Sequence, residues 1–121
     1  MAGNASTRLA SVPLAAWTDP ERSAAFAVLS QNGRVIARNR RLLRRFKDLA
    51  CPPAEVRVRV SNGHAIFESG AYAWGVCLDL SGESPLADNF FDLYPGIPHE
   101  IAWDRVEPPA VLRVGNLAKP R

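Results

Sequence analysis

Apolar residues recur at every second position in short runs along this chain, and turn-forming pairs separate the runs. In Glu55–Ser61, Val56, Val58 and Val60 alternate with Glu55, Arg57, Arg59 and Ser61. A two-residue period sets the valines on one face of a strand and charge on the other. Asn62-Gly63 follows, the pair best suited to the left-handed angles of a type I′ hairpin turn, so His64–Ser69 is predicted to return as its partner strand. Ala24–Gln31, Asn32-Gly33 and Arg34–Arg38 repeat the same grammar and predict a second hairpin.

Tyr72–Leu80 reads as the central strand. Tyr72, Trp74, Val76, Leu78 and Leu80 share a large apolar face suited to an interior, and Ala73, Gly75, Cys77 and Asp79 share a small one. The small face suits close approach by another segment, or exposure. Ser81–Pro85 is a turn cluster. Phe90–Tyr94 is a short strand closed by Pro95-Gly96, which fits the central positions of a type II turn. Ile97–Trp103 follows, at a sheet edge because Pro98 lacks a backbone donor. Ala110–Val114 closes the fold, and a fainter pattern over Leu9–Ala16 suggests an opening strand. Short strands in this number, about 7–9, with turn signals between them and no helix, predict an all-β fold, an immunoglobulin-like antiparallel β-sandwich. The sandwich is expected over residues 9–115, after a linker or appended segment at 1–8 and before a tail at 116–121.

Composition agrees with one globular domain: 121 residues, 47% apolar and 22% charged. No apolar run reaches the length of a membrane span, and Met1–Leu14 lacks the continuous apolar stretch of a secretory signal. Asn4-Ala5-Ser6 matches a glycosylation acceptor, which in a linker says little about compartment. Charge changes the picture more. The net charge is +3 and the pI about 9.3, yet Arg34, Arg38, Arg40, Arg41, Arg44, Arg45 and Lys47 supply seven of the 15 basic residues with no acid among them. The rest of the chain holds eight basic against 12 acidic residues, so one segment, not the whole protein, is basic. A general nucleic-acid role is not implied.

Family resemblance is carried by Tyr72-Ala73-Trp74-Gly75-Val76-Cys77-Leu78-Asp79-Leu80 and then by Leu86-Ala87-Asp88-Asn89-Phe90-Phe91-Asp92-Leu93-Tyr94-Pro95-Gly96. This stretch resembles the C-terminal immunoglobulin-like domain of β-mannosidase-type glycoside hydrolases, the clan that includes β-mannosidase and β-galactosidase. There a strand passes into a Ser/Ala-Asp-Asn-aromatic-aromatic segment and a Leu-x-Pro-Gly turn. Phe46-Lys47-Asp48-Leu49 and Pro52–Val60 look like the connector and strand before it. The resemblance covers roughly Ala24 to Trp103. It implies an accessory domain that packs on the rest of an enzyme, whose two catalytic glutamates stand on a (β/α)8 barrel that a chain of 121 residues cannot hold. The chain is therefore expected not to be an enzyme by itself, and its partners are expected to be other domains of a parent hydrolase.

Asp88 and Asp92 flank Asn89-Phe90-Phe91 and could be imagined as the carboxyl pair of glycoside hydrolysis, but Asp88 and Asn89 are good turn formers that bond their own backbone. Asp79, Glu83, Asp88 and Asp92 lack the spacing of a calcium loop. His64 and His99 are the only imidazoles. A zinc site would have to recruit Cys51 and Cys77, which are expected as thiols. No cofactor, metal or catalytic residue is expected. The Arg34–Lys47 segment has three readings: a solvated strand end with arginine stems over apolar surface, a docking surface for an acidic face of the catalytic portion, or a basic amphipathic helix contacting polyanion or membrane. Trp17 and Trp103 are the candidate glycan contacts of a carbohydrate-binding module, whereas Tyr72 and Trp74 are assigned to the core.

Overall fold

A computed structural model describes residues 6–13, 15, 19, 23–45 and 48–116. The chain is all-β: three small antiparallel sheets, with no α-helix among the described residues. It forms two compact units, Met1–Ala50 and Cys51–Arg121, and the boundary falls before Pro52-Pro53, where two prolines in succession favour extended backbone.

The first unit holds one antiparallel ribbon, β1 (Ala24–Gln31) and β2 (Arg34–Leu42). Asn32 and Gly33 join them with φ of 52° and 76°, as a type I′ turn requires. β2 runs on past Arg38, so Arg40 and Arg41 are strand residues rather than part of a basic helix. Leu29 faces Ala37 and Ser30 faces Val35. Ile36 is therefore the extra residue of a β-bulge. One face of the ribbon holds Ala24, Phe26, Val28, Arg38 and Leu42, all half-buried. The other, with Ala27, Leu29, Gln31, Arg34, Ala37, Asn39 and Arg41, is exposed. The expected opening strand is absent from the described part of Leu9–Ala16, which is unpaired over residues 9–13; Leu14 and Ala16 lie outside the described residues.

The second unit holds β3 (Arg57–Ser61), β4 (His64–Glu68) and β7 (His99–Ala102) in the order β3-β4-β7, and a smaller sheet of β5 (Ala73–Val76) and β6 (Phe91–Leu93). Asn62 and Gly63, at φ 50° and 73°, turn β3 into β4 as their sequence predicts. β4 is central, and Ala65, Ile66 and Phe67 are all buried. β7 takes the edge, as Pro98 requires. The amide of Ile97 donates to the Tyr94 carbonyl at 3.0 Å, and Gly96 stands at φ 69° between them, which closes the expected Pro95-Gly96 turn.

The inward side chains of both sheets share one core: Ala65 and Phe67 from β4, Ile101 from β7, Ala73 and Val76 from β5, Phe91 and Leu93 from β6, and Leu78. Phe67 meets Phe91 edge-on, ring centroids 4.9 Å apart at 65°, a geometry in which a ring edge lies against the electron-rich face of its neighbour.

The central strand corrects the alternation expected of Tyr72–Leu80. Ala73 pairs with Leu93 and Val76 with Phe91, so β5 spends one residue more than β6 over this step. Gly75 takes φ 61° there, and the phase of the strand inverts across it. Ala73 and Val76 consequently both point inward, while Trp74 is 37% and Leu80 66% exposed. Trp74 is thus not a core residue. Beyond the bulge the strand ends, and only an isolated bridge joins Cys77 to Arg113. The Cys77 amide donates to the Arg113 carbonyl at 2.8 Å, and the Leu112 amide to the Cys77 carbonyl at 2.9 Å. Ala110–Val114 therefore bonds along the backbone edge at Cys77, and it is not a strand.

Gly115 ends this segment. Its amide donates to the Trp74 carbonyl at 2.7 Å, and a Cβ there would overlap the Trp74 indole. Gly115→Ala is expected to cost about 2 kcal/mol, the usual scale of overpacking, read from the urea midpoint. An unchanged midpoint would mean the indole turns aside freely.

Candidate functional site

The residues that carry the family resemblance are occupied with backbone. The Asn89 Oδ1 accepts from the amides of Leu78 at 2.8 Å and Phe90 at 3.1 Å, and its Nδ2 donates to the Asp79 carbonyl at 2.7 Å. Phe90 is held at φ 56°, a conformation rare for a bulky side chain, and the residue is 57% exposed. Asp92 accepts from the Tyr72 hydroxyl at 2.9 Å and from the Gly75 amide at 3.0 Å, which ties down the bulge. Asp88 lies 3.0 Å from Nε2 of His99, whose ring stacks on Phe91 at 4.5 Å. Asp88 and Asp92 therefore serve different neighbours. The other imidazole, His64, is exposed and donates from Nδ1 to the Asn62 carbonyl at 2.9 Å.

Asp79 organises the turn cluster. Its carboxylate accepts from the Ser84 amide and from the amide and hydroxyl of Ser81, at 2.9 Å to each Ser81 donor. The Ser84 amide first and the Ser81 hydroxyl next hold its carboxyl well below the usual carboxylate range, against the opposing effect of burial. A folded-state value below the unfolded one contributes stability at neutral pH. That contribution is lost as pH falls below the unfolded value of about 3.9 towards the folded one. Asp79→Asn is expected to flatten this acid limb of the melting temperature against pH. Parallel limbs for the two proteins would refute the assignment.

Cys51 and Cys77 form no disulfide. No group of three or more His, Cys, Asp or Glu side chains among the described residues could hold a metal, and no described helix is long and apolar enough to cross a membrane.

Of the predicted basic residues, Arg34 and Arg41 stand near the two ends of the exposed ribbon face, with Leu29, Ala37 and Asn39 between them. They are six to seven residues apart, about 20 Å along a strand. Arg38 and Arg40 belong to the opposite face; Arg38 is half-buried and Arg40 exposed. Arg44 is exposed beyond the strand. Arg45 pairs with Asp48 at 2.8 Å, with side chains 74% and 41% exposed, so the bridge adds little stability. Arg34, Arg41 and Arg44 make no ion pair among the described residues. Lys47 lies outside the described residues, as does Trp17.

Trp103 sits at the end of β7, half-buried against the core. Its Nε1 donates to the Glu107 carbonyl at 2.8 Å, and the Arg105 guanidinium lies over the ring at 5.3 Å. Exposed cation–π contacts of this kind are worth about 0.5–1 kcal/mol. Trp103 lines an open cleft of about 720 Å³ with the Ser84–Ala87 loop and the loop from Asp104 to Ala110. The sequence pointed to Trp103 but not to this cleft, because two loops distant in sequence build it. No family model matches the chain, and no curated protein matches it.

Proposed function

We propose that this chain is a non-catalytic accessory domain of immunoglobulin-like sandwich type from a β-mannosidase-like glycoside hydrolase, acting by packing against the catalytic part. The observation that carries this reading is the use to which the resembling stretch is put. Asn89, Asp92 and Asp79 spend their polar atoms on backbone amides and carbonyls or on a tyrosine hydroxyl. Carboxylates so engaged hold loops and strand ends in place rather than stand ready to transfer protons.

The exposed ribbon face is the docking surface in this account. Arg34 and Arg41 offer planar, permanently charged donors about Leu29, Ala37 and Asn39, and arginine suits ion pairs at interfaces. Its partner is an acidic surface of the parent hydrolase. Arg34→Glu with Arg41→Glu is expected to weaken binding to the separately produced catalytic portion at least about tenfold, as like-charge contacts across an interface do, and to leave the melting temperature of the chain unchanged. Equal affinity for the reversed and native ribbon would overturn this docking surface. Hydrolysis of aryl β-mannosides by the chain alone, at rates that track its concentration, would overturn the non-catalytic reading.

A further inference from the structure

We propose that the cleft beside Trp103 is a binding site for a neutral hexopyranoside of one or two rings. This goes beyond the accessory reading and does not depend on it. A cleft of about 720 Å³ lies within the range of about 300–1,000 Å³ common to small-molecule sites. Its lining is mixed: Leu78, Leu86, Pro108 and Pro109 are apolar, and Asp104 and Glu107, both exposed, add carboxylates. A pyranoside has the complementary character. Its C–H face suits the prolines and the negative face of an indole, and its hydroxyls are donors for carboxylates, which offer several acceptor positions each.

Trp103 is prepared for this role. The bond from its Nε1 to the Glu107 carbonyl sets the ring orientation before any ligand arrives, and an oriented ring loses less freedom on binding. Arg105 covers the ring. Being exposed, it swings aside when a sugar stacks, and the guanidinium then moves to the solvent edge of the ring. Two rim carboxylates against one guanidinium disfavour uronic acids, whose own carboxylates would be repelled.

The test is an NMR titration of the full ¹⁵N-labelled chain with cellobiose, with mannobiose, and with digalacturonate as the acidic comparison. At least one neutral disaccharide is expected to shift the Trp103 indole N–H, identified by its loss in Trp103→Phe, saturably at millimolar concentration. Amides of residues 84–87 and 104–110 should move with it. Asp104→Ala and Glu107→Ala are each expected to lower affinity about tenfold, the worth of one hydrogen bond to a charged group. Arg105→Ala should raise affinity by uncovering the ring. These rim residues are exposed, so the variants are expected to fold. No saturable shift with either neutral sugar, shifts centred elsewhere, or equal binding of digalacturonate would overturn the proposal. Such a failure leaves the ribbon-docking reading intact, since its charge-reversed variants report affinity for the catalytic portion and not for sugar.

Discussion

Phe67→Ala is expected to remove about 4 kcal/mol of stability, in the upper range for an aromatic deleted from a core. Phe67 is completely buried on the central strand β4, and its ring bears on Phe91 of the other sheet. The deletion therefore takes away buried apolar surface and leaves a void in the core that the two sheets share. Phe91, Leu93 and Ile101 belong to the same buried cluster, and close packing on both sheets limits how far they can relax into the void. Single domains of this size are stable by only about 5–15 kcal/mol, so a large share of the margin goes. Phe67→Leu keeps most of the volume and should cost only about 1 kcal/mol. Urea denaturation followed by tryptophan fluorescence separates the two. Equal losses for alanine and leucine would show that the sheets are not joined through this ring.

The second large effect is expected at Asn116. Its side chain, 6% exposed, accepts from the Trp74 amide at 3.0 Å and donates to the carbonyls of Pro52 at 2.9 Å and Tyr72 at 2.6 Å. Two segments far apart in sequence, at Pro52 and at Tyr72–Trp74, converge on one amide. Asn116→Ala leaves their backbone groups without this partner and should cost about 3 kcal/mol, at about 1 kcal/mol for each bond. Asn116→Asp is the sharper variant. It keeps the acceptor for Trp74 but turns carboxylate oxygen towards two carbonyls, so it should destabilise at least as much as alanine at neutral pH. Hydrogen exchange at the Trp74 amide reads the clamp directly. Native protection of the Trp74 amide in Asn116→Ala would contradict its bond to the Asn116 side chain.

Asn116 was at the head of an expected tail, and nothing in one asparagine after Val114-Gly115 announces a clamp that spans more than forty residues to Tyr72 and more than sixty to Pro52. What the sequence does announce is local. Both Asn-Gly hairpins are present, because two left-handed residues in succession leave the chain few other shapes. The Pro95-Gly96 turn and the edge position of β7 follow from equally local rules. Phase is the opposite case. The alternation of Tyr72–Leu80 is regular on paper, but a single left-handed glycine at 75 inverts it, and glycine in a strand can be either regular or bulged. Trp74 moved from the interior to the surface for that reason.

The candidate sites divide in the same way. An arginine run is visible in any reading of the sequence, whereas its sorting onto two ribbon faces depends on register and on the bulge at Ile36. The cleft at Trp103 required the Ser84–Ala87 loop to reach the Pro108-Pro109 segment, a long-range meeting with no periodic signature. The resemblance to β-mannosidase-type domains rests on a stretch whose side chains are now seen to hold backbone, and it leads to one decisive question about the protein as it occurs in its source.

The most direct test is an immunoblot of the native source with an antibody raised against this chain, with aryl β-mannosidase activity followed across the same gel fractions. The accessory-domain account predicts a band far above the 13.2 kDa of the chain, migrating with the activity, since a catalytic barrel must share its polypeptide. A native band at the mass of the chain itself, with no activity in that fraction or any larger immunoreactive species, would contradict it.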